Sequence, residues 1–402
     1  MRTFLFLMLG LTGLLATTPA RAAEEIKIGA ILAVTGPAAN LGGPEARTAE
    51  MLVEEINAGG GIQGHKVKLI LKDSGGNPEK AVSFCKQLLE EEKVLAIIGP
   101  STSGETLQIK TLCEEGKTIL ISCAAAEKIV NPLARFVFKV PQKDSQAATL
   151  IYRTMKQLGI SRIGVVADNS GYGQAGKEQL LALAATNGIT IAAVETYDKG
   201  AMDLTDILTK IKGNNVQAVV NWSIVPAQSI IPRNMKQMGF NVPLFQSLGF
   251  GNPKYVQQAG EAAEGIIFPC GRLIVAESLP ADHPQKAVLM KYKTAYETRY
   301  KEDISTFGGH VVDALLILSA AVEKANSIDP VKVRDAIENL HGLVGTAGIF
   351  NFSPTDHNGL PIEAFEMCTV KNGKFAIYQP PKVAPAAAPA AACNAPAVLE
   401  TK

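Results

Sequence analysis

The sequence has little net charge and few residues suited to holding a metal. Among its 402 residues, 39 are Lys or Arg and 38 are Asp or Glu, which leaves a formal net charge of +1. This balance argues against a strongly basic surface that would attract nucleic acid or an anionic membrane. The five histidines include no H-x-x-x-H pair, and the six cysteines include no C-x-x-C pair. We therefore predict no nucleic-acid partner, no metal site and no cofactor.

Signatures of catalysis are also missing. The sequence has no G-x-S-x-G motif, and no pair of acidic residues stands out as an acid and base couple. Cys123 follows an apolar run and could act as a nucleophile, but a half-buried small residue explains it better. The sequence thus favours a protein that is not an enzyme. An exported enzyme of α/β fold is kept as the alternative from another class.

The one apolar stretch with the pattern of a targeting signal lies at the N-terminus. Arg2 precedes an apolar stretch from Phe4 to Ala16, and Ala20-Arg21-Ala22 offers small residues for cleavage. This stretch is shorter than the roughly 18 apolar residues that a transmembrane helix needs. We therefore predict a signal peptide at residues 1–22, cleaved near Ala22, and a periplasmic location for the mature protein.

Two of the cysteines could form a disulfide. Cys85 and Cys113 lie on consecutive predicted helices, which would pack on the same face of a wound α/β sheet. Export permits disulfides, so a bridge between these two residues is one interpretation. The other is a pair of buried thiols, because Cys85 shares an apolar helix face with Val82 and Leu89.

From Glu25 onward, apolar runs that predict strands alternate with amphipathic runs that predict helices. The series starts again near Asp144, which indicates two doubly wound α/β lobes, each with a parallel sheet covered on both faces. A later helical block suggests that the chain returns to the first lobe before it completes the second. The predicted division is lobe 1 at 23–143 plus 275–342, lobe 2 at 144–274 plus 343–379, and a disordered Ala- and Pro-rich tail at 380–402.

The motif GPSTSG at residues 99–104 follows a predicted strand and opens a predicted helix. Free N–H groups and the positive end of the helix dipole favour an anion at such a place, and Ser101, Thr102 and Ser103 add hydroxyl donors. No lysine follows, which excludes a P-loop. The motif therefore predicts a carboxylate or phosphate site, with simple helix capping by Ser101 or Ser103 as the alternative.

Three loops of the second lobe also follow predicted strands. They contain Tyr172 in DNSGYG, Trp222, and the segment from Leu248 to Phe250. Because ligands of wound α/β folds bind beyond the carboxyl ends of the strands, we expect these loops to face GPSTSG across a cleft. Tyr172 and Trp222 bring flat apolar surface with a polar atom. Ordinary core packing is an equal interpretation for Trp222.

Taken together, the motifs resemble those of the type I periplasmic solute-binding proteins of the branched-chain amino acid family, which serve ABC importers. The resemblance covers residues 24 to about 380. It rests on IKIGAILAVTGPAA (26–39), INAGGGIQG (56–64), LAIIGPSTSGET (95–106), ILISCAAA (119–126), DNSGYG (168–173) and TAGIFNFSPTDHNG (346–359). It implies two lobes joined by a three-segment hinge, a monomer that closes on a small ligand, and a membrane permease as the docking partner. A sensory role on the same fold is a variant of this interpretation.

The resemblance also implies site residues, and only half of the family's amino acid site is kept. The family's carboxylate-binding serine falls on Ser103, its strand-end carbonyl on Ala124 and its stacking tyrosine on Tyr172. The threonine that contacts both ends of the amino acid falls on Ala126, and the acid that pairs with the ligand's ammonium falls on Leu248. The part that binds an anion is present, and the part that binds a cation is missing.

This asymmetry leads to a hypothesis about the ligand. We expect an apolar, aromatic monocarboxylate, with its carboxylate on Ser103 and its body against Tyr172, Trp222, Leu248 and Phe250. The segments at 129–145 and 305–315 also resemble the family branch that includes binders of aromatic acids. The alternative is leucine, isoleucine, valine or another amino acid, with Glu127 or Asp168 in place of the lost acid.

Overall fold

The computed structural model describes residues 24–381, so the predicted signal peptide and nearly all of the predicted tail lie outside the described residues. The first lobe begins with five strands that alternate with three helices. These elements are β1 (Ile26–Leu32), α1 (Ala39–Ala58), β2 (Val67–Asp73), α2 (Pro78–Gln87), β3 (Ala96–Ile98), α3 (Ser103–Glu115), β4 (Ile119–Ser122) and β5 (Val137–Lys139).

The first sheet is parallel throughout, with the strand order β2-β1-β3-β4-β5. Its central strands are apolar on both faces because both faces are covered by helices. Ile97 packs with Ile109 of α3, whereas the next residue, Ile98, belongs to the core on the opposite face. All carboxyl ends of these strands lie at one edge, and the loop from β3 to α3 carries the GPSTSG motif to that edge.

The second lobe begins with a similar series. Its elements are α4 (Asp144–Gln157), β6 (Arg162–Asp168), α5 (Gly171–Ala184), β7 (Thr190–Tyr197), α6 (Thr205–Lys212), β8 (Ala218–Trp222), α7 (Ala227–Gln237), β9 (Leu244–Gln246), α8 (Pro253–Ala259) and β10 (Ile267–Gly271). Short helical turns of the described chain lie at Leu88–Glu92, Glu127–Ile129, Ala185–Asn187, Leu248–Phe250, Gly260–Ala263, Arg272–Ser278 and Ile362–Ala364.

After β10 the chain returns to the first lobe. This part contains α9 (Lys286–Tyr300), α10 (Thr306–Ala325), α11 (Pro330–Glu338), β11 (His341–Val344) and β12 (Ile349–Asn351). Within residues 24–381, α10 is the one helix long and apolar enough to cross a membrane. Most of it is buried, and Val311, Leu315 and Leu318 pack against the first sheet, as expected of a core helix in a globular lobe.

The last two strands, β13 (Phe365–Lys371) and β14 (Lys374–Ile377), complete the second sheet, whose order is β14-β13-β10-β9-β8-β6-β7. The two-lobed α/β fold predicted from the sequence is confirmed. The second sheet, however, is not wholly parallel, because β13 runs antiparallel to both β10 and β14. The two-residue turn between β13 and β14 requires that these two strands be antiparallel, because so short a connection cannot join parallel neighbours.

Three segments connect the lobes, and the last differs from the expected division. The first follows β5, and the second follows β10. We expected the chain to enter the second lobe for the last time at residue 343. Instead, Phe350, Phe352 and Leu360 are buried in the core of the first lobe, so this crossing lies just before β13. The apolar residues near 350 fill the space beside Phe138 of β5, and this packing keeps the segment in the first lobe.

Hydrogen bonds fix the first connecting segment. Gln142, in the first segment, donates through Nε2 to the carbonyl of Ala347 at 2.7 Å. Lys139 is fully buried, and its Nζ donates to the carbonyls of Pro141 at 2.6 Å and Gln142 at 3.1 Å. Burial lowers the pKa of Lys139 to about 7. Gln142 Nε2 also donates to the carbonyl of Ala364, just before β13, at 3.4 Å, and this bond joins the first and third connecting segments. Such a link suits a hinge about which the two lobes move relative to each other.

Cys85 and Cys113 face each other between α2 and α3. Both are fully buried, and their Sγ atoms are 3.7 Å apart without a bond between them. A hydrogen bond with Cys85, together with burial, raises the pKa of the Cys113 thiol well above its usual range. The geometry brings the two sulfurs into contact, but a disulfide needs a separation of about 2.05 Å. The bridge therefore stays a prediction.

Alkylation of the exported protein tests this pair. Oxidation is expected to leave Cys85 and Cys113 unalkylated when the protein is denatured without reductant, and alkylated after reduction. A bridge that closes a loop of this length stabilises a protein by about 3 to 4 kcal/mol, and the double variant C85A/C113A should lose that amount. Equal alkylation with and without reductant, measured by peptide mass spectrometry, would identify two buried thiols instead.

Candidate functional site

The carboxyl ends of both sheets meet at a cavity between the lobes. The lobes touch around it, and Asn252 Nδ2 donates to the Asn40 carbonyl across the cleft at 2.7 Å. Residues from both lobes and from the connecting segments form its wall. They are Leu41, Ser101, Ser103, Cys123, Ala124, Ala125, Pro141, Gln142, Tyr172, Ile224, Leu248, Gly249, Cys270, Gly271, Leu273, Thr306, Phe307, His310, Thr346 and Ala347.

Ser103 presents a hydroxyl to the cavity from the first turn of α3. Its Oγ accepts a hydrogen bond from the N–H of Ala126 at 3.3 Å, which leaves the hydroxyl proton free to donate. The positive end of the α3 dipole lies at the same place. Ser103 can therefore donate to a carboxylate oxygen of a ligand in the cavity.

The two hydroxyls before Ser103 are engaged elsewhere. Ser101 lines the cavity, but its Oγ donates to Glu45 and accepts from the N–H of Ala33 at 2.9 Å. Burial raises the pKa of Glu45 to about 8, so this carboxyl is uncharged at neutral pH. Thr102 caps α3 by accepting at Oγ1 from the N–H of Glu105 at 3.4 Å, and the same hydroxyl donates to Glu105 Oε2 at 2.6 Å. Thr102 is not part of the cavity wall. Capping by Thr102, rather than by Ser101 or Ser103, leaves Ser103 free.

The second lobe contributes an aromatic ring and an aliphatic side chain. Tyr172 lies in the first turn of α5, which Ser170 caps by accepting from the N–H of Gly173 at 3.1 Å. Burial raises the pKa of Tyr172 well above its usual range, so the phenol keeps its proton. Leu248 follows β9 and is 7% exposed, with its side chain in the cavity wall. Both residues line the cavity.

Trp222 and Phe250 lie behind the cavity wall instead of in it. Trp222 is fully buried with its ring 5.9 Å from that of Tyr172, and it occupies the space left by Gly176. An added Cβ at Gly176 would lie only 2.0 Å from Trp222 Nε1. Phe250 packs against Phe268 in the core of the second lobe. Both aromatic residues support the site through packing and are absent from the lining.

Ala124 lines the cavity, whereas Ala126 does not. The backbone N–H of Ala126 holds Ser103, so this position serves the site through its main chain. Where the family resemblance implies a hydroxyl that contacts both ends of an amino acid, a methyl group is present.

No acidic side chain lines this cavity among the described residues. Asp168 is buried and accepts from the N–H groups of Ser170 at 2.8 Å and Ile224 at 3.3 Å. Glu127 lies outside the cavity wall as well. Neither residue brings a carboxylate to the cavity in place of the acid that the resemblance implies at position 248. The cavity thus offers donors for an anion and no carboxylate for an ammonium group.

Several lining residues were not identified from the sequence. Leu41 reaches the cavity from the start of α1, and its side chain packs with the core of the second lobe. Phe307 and His310 reach it from the start of α10. The resemblance of residues 305–315 to binders of aromatic acids was the one signal that could have pointed to His310. Leu41 gave no signal, because nothing in the sequence shows that α1 begins at the cleft.

These features define a class of protein: two α/β lobes, a hinge of three segments, and a cavity at the facing sheet ends, as in receptors that close on a small ligand. Residues 25–374 match the family model described as periplasmic binding protein, and the chain belongs to this family. It is a substrate-binding receptor.

Similar proteins of known name or structure include binders of amino acids. The leucine-, isoleucine-, valine-, threonine- and alanine-binding protein of Pseudomonas aeruginosa is 25% identical over 360 residues, which are 89% of this chain and 90% of that protein. An extracellular ligand-binding receptor from Rhodopseudomonas palustris HaA2 is 28% identical with a TM-score of 0.82, over 88% of this chain and 99% of that one. LivJ from Streptococcus pneumoniae, solved in complex with isoleucine, is 26% identical with a TM-score of 0.76, over 87% and 97%.

Proposed function

We propose that this receptor is a periplasmic monomer without catalytic activity, that it binds an apolar, aromatic monocarboxylate, and that it delivers this ligand to an ABC importer permease. The absence of an acidic side chain from the cavity wall, within the described chain, is the observation that carries the choice of ligand. Burying an ammonium without its partner costs about 3 to 5 kcal/mol, which corresponds to roughly two to three and a half decades of affinity. An amino acid would lose that much here.

The ligand pose follows from the groups that remain free. The carboxylate accepts from Ser103 and lies at the start of α3, while Tyr172 and Leu248 contact the body of the ligand from the other lobe. A ligand held by both lobes stabilises the closed form over the open one by its differential affinity, and this closure is the mechanism of binding. The closed form then presents a surface built from both lobes to the permease.

The second candidate is an aliphatic amino acid, which the names of the Pseudomonas relative and the Streptococcus complex favour. The apolar wall formed by Leu41, Leu248 and Leu273 would accept an aliphatic side chain equally well. The ammonium group separates the two candidates, because only an amino acid needs a carboxylate partner in the cavity.

A thermal shift experiment on protein that lacks residues 1–22, refolded to remove carried ligand, tests the proposal. A micromolar ligand at millimolar concentration should add about 4 kcal/mol of stability. We expect this shift with benzoate, 4-hydroxybenzoate or phenylpropanoate, and none with leucine or valine. A shift with leucine or valine alone would contradict the proposal and favour amino acid binding.

The variant Ser103→Ala shows whether the carboxylate lies at α3. It should weaken aromatic acid binding by about 1.5 to 3 kcal/mol, the range for a hydrogen bond to a charged group. Thr102→Ala is the matched control, because the neighbouring hydroxyl caps the helix outside the cavity. Losing that cap should lower the melting temperature and leave the affinity unchanged. Equal affinity losses in both variants would count against a direct contact from Ser103.

A further inference from the structure

Two helices begin at the cavity from opposite faces of the first sheet. Ile109 of α3 packs on the face that includes Ile97, whereas Val311 of α10 packs on the face that includes Ile98. Successive residues of a strand point to opposite faces, which places the two helices on either side of the strand ends. Ser103 on α3 and His310 on α10 therefore flank a ligand that lies over this edge of the sheet.

His310 lines the cavity from α10 and has one buried ring nitrogen without a hydrogen-bond partner in the described chain. The residue is 7% exposed and belongs to the cavity wall, and its Nδ1 has no hydrogen-bond partner within residues 24–381. The neighbouring hydroxyls are already engaged, because Thr306 donates to the Gly251 carbonyl at 3.2 Å and Thr346 donates to the Gly309 carbonyl at 2.9 Å. A buried nitrogen left unpaired costs stability, so the site gains from a ligand that pairs with it.

The imidazole of His310 is neutral. Burial, reinforced by the charge of Lys139, lowers its pKa to about 3, and contact of the ring with the Cys123 backbone opposes this only in part. A neutral imidazole has one donor and one acceptor nitrogen. It offers no charge to a second carboxylate, and with no acid in the described cavity wall an ammonium group would stay unbalanced here. A hydroxyl both donates and accepts, so it matches either tautomer.

We propose that His310 binds a hydroxyl group at the end of the ligand opposite its carboxylate. The substrate class is then a hydroxylated aromatic carboxylate, and His310 is the residue that selects it over the unsubstituted acid. This inference rests on the proposed function, because it takes the carboxylate to lie at Ser103 on the other side of the strand ends.

Calorimetric titration of the mature protein with benzoate and with 2-, 3- and 4-hydroxybenzoate tests the inference. We expect the 3- or the 4-hydroxy acid to bind about tenfold more tightly than benzoate, the effect of pairing one buried polar group. The 2-hydroxy acid is the matched control ligand, because its hydroxyl lies beside its own carboxylate and cannot reach His310. It should bind like benzoate.

Two variants assign the preference to this residue. His310→Leu keeps an apolar side chain in the wall and should bind benzoate and 4-hydroxybenzoate with equal affinity, so that the preference for a hydroxyl disappears. His310→Gln retains a donor and an acceptor and should keep part of the preference. A preference that persists in His310→Leu would overturn the inference, and so would a wild type that binds all four acids equally.

The failure of the proposed function has a different signature. If leucine binds the wild type and none of the four aromatic acids does, then both the ligand class and the role of His310 are wrong. If benzoate binds and the hydroxyl has no effect, the proposed function stands and only the role of His310 is lost.

Discussion

Leu248→Asp is expected to turn the receptor from an aromatic acid binder into an amino acid binder. Leu248 lines the cavity and is 7% exposed, so an aspartate there would be buried when the lobes close. With benzoate the closed cavity would hold two negative charges and no positive one. Leaving a buried charge without a partner costs about 3 to 5 kcal/mol, so benzoate should bind at least about a hundredfold more weakly.

With leucine the same substitution restores a balanced site. The new carboxylate would pair with the ligand's ammonium, while Ser103 still donates to the ligand's carboxylate. Leucine affinity should rise by a similar factor, because the variant supplies the partner that the wild-type cavity lacks. Measured by calorimetry, the two ligands should exchange their order of affinity.

Leu248→Asn is the control for this exchange. It has nearly the same shape as aspartate and no charge, so it should weaken both ligands modestly through lost apolar contact. Leucine that binds the wild type with micromolar affinity would refute the argument, and so would Asp and Asn variants that behave alike. In either case the ammonium would be held by a group outside the cavity wall described above.

The sequence predicted the parts of the site that follow strands of the wound lobes. Ser103, Tyr172 and Leu248 all come directly after a strand or at the start of the next helix, and all three line the cavity. Position along the chain sufficed there, because every strand of a parallel series ends at the same edge of its sheet. The same rule placed Trp222 and Phe250 at that edge as well.

What the rule could not supply was the direction of a side chain. Trp222 ends β8 and points behind Tyr172, into space that the absence of a side chain at Gly176 leaves open. That fit depends on two elements that are far apart in sequence. A periodic pattern reports which residues are apolar, and both a core ring and a ligand platform satisfy it.

The return of the chain to the first lobe was harder to predict from the sequence than the direction of these side chains. Phe350 and Phe352 were assigned to the second lobe because short strands follow the helical block, yet they stack on each other in the core of the first. His310 and Phe307 reach the cavity only because α10 packs beside α1. These placements are set by tertiary contacts, which local sequence cannot encode by itself.

Gly171→Ala is expected to weaken ligand binding by holding the lobes apart. Gly171 at the start of α5 meets Gly104 at the start of α3 across the cleft. An added Cβ at Gly171 would lie 2.6 Å from Cα and 2.9 Å from N of Gly104, and backbone atoms cannot move aside as a flexible side chain can. Overpacking of this kind costs about 1 to 3 kcal/mol, or roughly fivefold to 150-fold in affinity.

The contact couples closure to the ligand, because Ser103 and Tyr172 are the chain neighbours of the two glycines and both line the cavity. A gap opened between Gly104 and Gly171 would therefore move the Ser103 hydroxyl away from the Tyr172 ring, and both groups contact the ligand in the proposed pose. The substitution should not destabilise the lobe itself, because alanine favours a helix more than glycine does. The contact with Gly104 forms only between the lobes, so it adds no strain within either of them. The melting temperature of the ligand-free variant should accordingly equal or exceed that of the wild type.

Gly104→Ala is the matched control, because its Cβ would lie 3.6 Å from the Gly171 nitrogen, an ordinary contact distance. It should bind as the wild type does. Calorimetry gives the affinities, and small-angle scattering with and without 4-hydroxybenzoate gives the closure as a fall in the radius of gyration. If Gly171→Ala binds and closes like Gly104→Ala, the closed form in solution does not bring α3 and α5 together. If only Gly171→Ala fails, the approach of these two helix starts limits closure, and affinity depends on contact between the lobes as well as on contacts with the ligand.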